Sequence, residues 1–136
     1  MRLPKLTLTQ NKVISVCSWS AVVVTQIIAH RFPIAGMPPA VKALAAAVLF
    51  AAAVAVIVTA FGCRTEKPDE RATTNQYRAN SSLFMLIFFL FGFYILFGDR
   101  LGWQTLTFTR GQIILCFGLL CLLQDGLFLL YERFGN

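Results

Sequence analysis

The stretch ALAAAVLFAAAVAVIVTAFG, residues 43–62, runs for twenty residues without a charge. A helix rises ~1.5 Å per residue, so about twenty apolar residues cross a hydrocarbon core ~30 Å thick. Three further runs of similar length follow the same pattern: Val13–His30, Ser81–Gly98 and Ile113–Tyr131. Each is continuously apolar rather than alternating. In lipid only helices and closed barrels satisfy their own backbone groups, and barrel strands alternate, so these runs read as transmembrane helices. The expected fold is therefore all-α: residues 1–136 as one antiparallel bundle of four transmembrane helices.

Composition points the same way. Of the 136 residues, 57% are hydrophobic and 13% charged, with a mean hydropathy of +0.70. A soluble domain is about 45–50% apolar and about 25% charged. A chain of this size leaves too much surface exposed to hide that excess in water. A soluble enzyme, a zinc module and a disordered tail are excluded. A cleavable signal peptide is the weaker reading of the first run, because Ile27-Ile28-Ala29-His30-Arg31 offers no small-residue cleavage site.

Basic residues set the expected orientation. Arg2, Lys5, Lys12, Arg64, Lys67, Arg71, Arg78 and Arg133 fall on one side, against Arg31, Lys42, Arg100 and Arg110 on the other. The richer side is cytoplasmic by the positive-inside rule, which puts both termini and the second loop inside a cytoplasmic membrane. The formal charge of +6 is read as this topology signal and as contact with anionic headgroups. No basic stripe carries interleaved aromatics, so nucleic acid is not an expected partner.

Within the runs, Ala47, Ala51, Ala55 and Thr59 recur every four residues on the second helix. Small residues at that spacing let helix backbones approach closely in lipid. The stripe reads as packing inside the bundle or, alternatively, as a homodimer seam. The third run is aromatic (Phe84, Phe88, Phe89, Phe91, Phe93, Tyr94, Phe97), and its rings are expected to pack on the alanine surface of the second helix. Pro68 followed by Asp69 and Glu70 is a helix-start pattern, so the third helix is expected to extend into the cytoplasm from about Asp69. Arg71 and Arg78 would share one face of that extension and, with Asp69 and Glu70, form a cytoplasmic interaction surface for headgroups or a partner protein.

Asp125 is the residue most out of place. A carboxylate within a membrane helix is a functional-site hypothesis by default. It lies six residues before Tyr131, about 9 Å from the inner end of the run. At that depth the expected neighbours are Gln124, Ser18, Ser20 and Thr59. No basic residue of the apolar runs matches its level, and burial then favours the neutral carboxyl. Asp125 reads either as a hydrogen-bonded structural carboxyl or as a proton or cation site. His30 is the only histidine, at the outer end of the first run. Cys17, Cys63, Cys116 and Cys121 form no Cys-x-x-Cys pair and read as apolar fillers, with Cys63 near the cytoplasmic interface. Neither a metal nor a cofactor is expected, and one histidine with one intramembrane acid builds no catalytic constellation.

The second loop, with Asp69-Glu70-Arg71 followed by Ala79 and Ser82, resembles a group of small prokaryotic four-helix membrane proteins of unknown function that carry an Asp-Glu-Arg motif between helices 2 and 3. The ending Leu130-Tyr131-Glu132-Arg133-Phe134-Gly135 is similar to theirs. The resemblance implies an integral membrane protein and no particular activity. The leading functional expectation is a non-enzymatic accessory or regulatory subunit that works through a membrane-protein partner. The alternative is a homodimeric small transporter or channel using Asp125 as its intramembrane site.

Overall fold

A computed structural model describes residues 5–135, so Arg2 of the basic N-terminal tail lies outside the described residues. Among the described residues the long elements are all helices: α1 Leu8–Arg31, α2 Pro39–Ile57, α3 Glu70–Phe97 and α4 Arg110–Phe134. The last turn of α2 widens into a π turn over Val58–Gly62. All four helices, α2 counted with its π turn, are long and apolar enough to cross a membrane.

Local chemistry fixes where each helix begins. Thr7 caps α1: its hydroxyl accepts the Gln10 amide at 3.2 Å, and the Gln10 side chain accepts the Thr7 amide at 3.1 Å. Thr109 and Gln112 repeat this reciprocal box at the start of α4, at 3.3 and 3.0 Å. Each box satisfies two backbone donors that would otherwise be orphaned. The Asp69 carboxylate accepts the Ala72 amide at 2.7 Å and opens α3. Pro39 stands in the first turn of α2, where a missing amide hydrogen costs nothing. All four starts lie upstream of the apolar runs. Helix α1 begins five residues before Val13 and so takes in Lys12, and α4 begins three before Ile113.

The principal packing is α2 on α1, α1 on α4 and α4 on α3. Helix α4 is thus flanked by α1 on one side and α3 on the other. Its seam toward α1 repeats every seven residues through Gly111, Gly118 and Asp125. A Cβ on Gly118 would come within 3.1 Å of a Val23 methyl, and one on Gly111 within 3.4 Å of the Gln26 side-chain oxygen. Trp19 meets Phe117 edge to face at 5.5 Å. The α1 residues in this seam (Lys12, Ser15, Trp19, Val23, Gln26) follow the three-and-four spacing of a packed helix face. Along α1 the numbers rise from Lys12 to Gln26 while their α4 partners fall from Asp125 to Gly111.

Toward α3, the seam is Ala72, Asn75, Ala79 and Ser82. Ala79 is fully buried and Phe128 of α4 is 1% exposed against it. Small residues again permit the close approach. This contact lies at the N-terminal end of α3, whereas none of the residues in its apolar window is buried.

Two packing expectations are corrected by this arrangement. Ala47 and Ala51 are exposed and Ala55 is only half-buried, so that stripe is not the inner face of α2. The inward side is turned one step around the helix, where Leu49, Ala52 and Val56 line a recess of about 260 Å³ with Ser18, Trp19 and Val22. The phenylalanines of α3 do not fill against α2 either, because α1 and α4 stand between α2 and α3 in the packing order. Phe84, Phe88, Phe89, Phe91 and Phe93 are exposed, and neighbouring rings stack along their own helix instead.

The Gly118 contact yields a direct prediction. Gly118→Leu drives a branched side chain into Val23 and lowers stability by about 1–3 kcal/mol, the usual cost of overpacking. Denaturation of the purified protein in mixed detergent micelles would show it, and Gly92→Leu, where a Cβ meets nothing within 4 Å, serves as the unperturbed control.

Candidate functional site

The polar centre of the chain is built across the α1–α4 seam. The Lys12 ammonium lies 2.6 Å from one oxygen of the Asp125 carboxylate. The Ser15 hydroxyl donates to the other oxygen. Lys12 and Ser15 are three residues apart and share one face of α1, so a single carboxylate takes both donors. The Lys12 ammonium also sits 5.5 Å from the centre of the Phe128 ring, within reach of a cation–π attraction. The Lys12 and Asp125 side chains are 19% and 12% exposed, so the pair is largely removed from solvent.

This corrects the sequence expectation that Asp125 has no basic neighbour. Lys12 was excluded by starting the first helix at Val13. The capping pattern Thr7-x-x-Gln10 is the signal that carries the helix back to Leu8 and brings Lys12 onto the correct face. The other expected neighbours lie elsewhere. Ser18 is buried but lines the recess toward α2. The Thr59 hydroxyl donates to the carbonyls of Ala55 and Val56, at 2.8 and 3.1 Å, within its own helix. Gln124 turns about 100° around α4 from Asp125 and donates to the Asn80 side chain of α3 at 3.1 Å. Ser20 is half-buried on α1 and makes no contact with Asp125 among the hydrogen bonds of the described residues.

A second polar network fastens α3 to α4 at the same end. Asn75, 2% exposed, donates to the Glu132 carboxylate at 2.8 Å. Ser82 and Tyr131 share a hydrogen bond of 2.8 Å between hydroxyls. Arg71 donates through Nη2 to the carbonyls of Glu132 and Gly135, at 2.9 and 3.4 Å. These are terminal carbonyls of α4, which lack partners of their own within the helix and carry the negative end of its dipole. The Arg71 Nε to Glu132 carboxylate distance is 4.0 Å with the arginine 56% exposed, so this ion pair adds little beyond the carbonyl bonds.

Asp69-Glu70-Arg71 is accordingly not a free loop. Asp69 is the cap of α3, Glu70 opens its first turn, and Arg71 closes the end of α4. Arg78 lies two turns further along α3, exposed, and makes none of the hydrogen bonds or ion pairs found among the described residues.

The N-terminal segment joins the same end. The Leu6 amide donates to the Arg64 carbonyl at 3.0 Å and the Glu66 amide donates to the Leu6 carbonyl at 3.1 Å, a single parallel bridge. At the other end of α1, Gln26 and His30 line a recess of about 350 Å³ with Thr109 and Gln112 of α4. Asp125 and His30 therefore stand at opposite ends of α1. No group of three or more metal-ligating side chains occurs among the described residues.

Comparison with known proteins adds no relationship: no family model, no curated protein and no solved structure matches the chain.

The Lys12–Asp125 geometry predicts strong coupling. Lys12→Met strands a buried carboxylate, and Asp125→Leu strands a buried ammonium. Either change alone should cost about 3–5 kcal/mol, whereas replacing both together should recover most of the loss. A double-mutant cycle by detergent denaturation measures this directly. Additive losses would show that the two groups act independently.

Proposed function

We propose that this chain is a non-enzymatic accessory or regulatory subunit of the cytoplasmic membrane. In this reading it is an antiparallel four-helix bundle with both termini inside, bound to another membrane protein through the outer faces of α2 and α3. The observation that carries the proposal is the Lys12–Asp125–Ser15 cluster. Both oxygens of the one intramembrane carboxylate are engaged by donors from α1, so the group that would otherwise mark a transport site serves as an internal tie.

Further features support it. Lys5, Lys12, Arg64, Lys67, Arg71, Arg78 and Arg133 gather at the end where the Leu6 bridge and the Arg71 bonds hold together the N-terminal segment, the second loop and the end of α4. That is the asymmetry the positive-inside rule reads as cytoplasmic. Opposite it, α3 offers an apolar, ring-rich face with nothing buried in its apolar window, which suits a neighbouring helix as well as lipid. The kinship drawn from Asp69-Glu70-Arg71 belongs to this proposal as well, in a group for which no activity is implied.

One observation favours a second reading. Ala47 and Ala51 are exposed on α2, so a small-residue face is available to a second copy. A homodimeric transporter would then use Asp125 as its proton or cation site, and its cycle would have to break the contact with Lys12.

Tagged protein purified from native membranes in mild detergent separates the two. A stoichiometric second membrane protein, lost when Phe88 and Phe91 are both changed to Ala, is the expected result. A homodimer without a partner, whose proton-driven flux in proteoliposomes is abolished by Asp125→Asn, would replace the subunit reading with the transporter.

A further inference from the structure

At the inner end of α3, a recess of about 310 Å³ is lined by Glu70, Arg71, Thr74, Asn75, Arg78 and Gly135. We propose that it binds the phosphodiester of an anionic glycerophospholipid. Arg71 and Arg78 are seven residues apart, two helical turns, and flank the recess about 10 Å apart along the axis. Arg71 is held in place by the carbonyls of α4 through one nitrogen, Nη2. Arg78 has no partner among the described residues, so its planar fork is available for bidentate bonds to phosphate oxygens.

Depth supports a lipid over a soluble phosphate. Arg78 precedes the apolar run at Ser81 by three residues, about 4.5 Å, which falls within a headgroup layer roughly 5–7 Å thick. The neighbouring Tyr77 is 72% exposed, and exposed tyrosines collect at the membrane–water boundary. Arg71 then stands on the aqueous side of the phosphate. Charge narrows the ligand further. The two arginines and Glu70 leave the lining with one net positive charge, matched to a singly charged phosphodiester better than to a doubly charged phosphomonoester. Anionic lipids of the inner leaflet supply that group.

The inference rests on the inside orientation proposed above, but its readout needs no partner protein. The full chain, delipidated in mild detergent, is offered phosphatidylglycerol or phosphatidylcholine with the same acyl chains, and retained lipid is counted by native mass spectrometry. Wild-type protein is expected to retain phosphatidylglycerol preferentially. Arg78→Gln should lower that retention about fivefold, equivalent to ~1 kcal/mol for one basic residue at the surface. Arg78→Lys should fall between the two, and Arg110→Gln, at the far end of the molecule, should match wild type. Millimolar inorganic phosphate should leave the lipid bound.

Several outcomes would overturn the assignment. One is equal retention of both lipids by wild type, which tests the site even where a variant fails to fold. Another is unchanged retention by Arg78→Gln. Displacement by inorganic phosphate would make it a free-phosphate site. Loss of a co-purified protein from Arg78→Gln with lipid retention unchanged would make it a protein contact. The subunit reading fails separately, by the absence of a stoichiometric partner.

Discussion

The contact between Lys12 and Asp125 is the constraint around which the rest of the chain is arranged. A lone carboxylate or ammonium in a membrane helix is costly, about 2.5–3.5 kcal/mol at the helix centre on insertion scales and less toward its ends. Meeting each other removes most of that cost and fixes three things together. It sets the rotation of α4, because Asp125 must face α1. It sets the register, because Gly118 and Gly111 then fall opposite Val23 and Gln26. It also leaves the neighbouring flank of α4 to α3, where Phe128, Tyr131 and Glu132 meet Ala79, Ser82 and Asn75. Helix α4 carries the polar and close-packed contacts on both flanks, while α2 and the C-terminal half of α3 lie at the edges.

The helical class and the four spans were readable in the sequence because they depend on one-dimensional quantities: run length, charge and continuity. What was hidden depends on rotation about the helix axis. The alanine stripe Ala47-Ala51-Ala55 obeys a spacing rule that many faces of an alanine-rich helix obey equally well, and the face that packs carries Leu49 and Val56 beside Ala52. The better small-residue seams, Gly111-Gly118 and Ala72-Ala79, each pair residues seven apart. The second sits partly outside the apolar span, where a search for membrane packing does not look. Hydropathy marks where a helix meets lipid, whereas caps mark where it begins. The interval between these two boundaries contained Lys12.

Asp69 and Arg71 illustrate a different limit. Their charge and loop position suggested an outward-facing role, yet both are spent on helix ends, one on the donors of α3 and the other on the acceptors of α4. A charged triplet between two spans has these internal acceptors within reach whenever the chain terminus folds back beside it, and that proximity is a property of the assembled helices. Arg78 lacks such a neighbour, and this difference separates two arginines that are equivalent in the sequence.

The pairing of α1 with α4 has a consequence for how the chain is made. Lys12 and Asp125 are 113 residues apart, and of the four helices α4 is the last to be synthesised. Until it arrives, the Lys12 ammonium near the N-terminal end of α1 has no carboxylate to meet, and α3 has no α4 surface on which to bury Ala72 and Ala79. A nascent chain therefore displays, at the edge of its first apolar run, a charge that α4 conceals once it is in place. The disappearance of that charge marks the docking of α4 on α1.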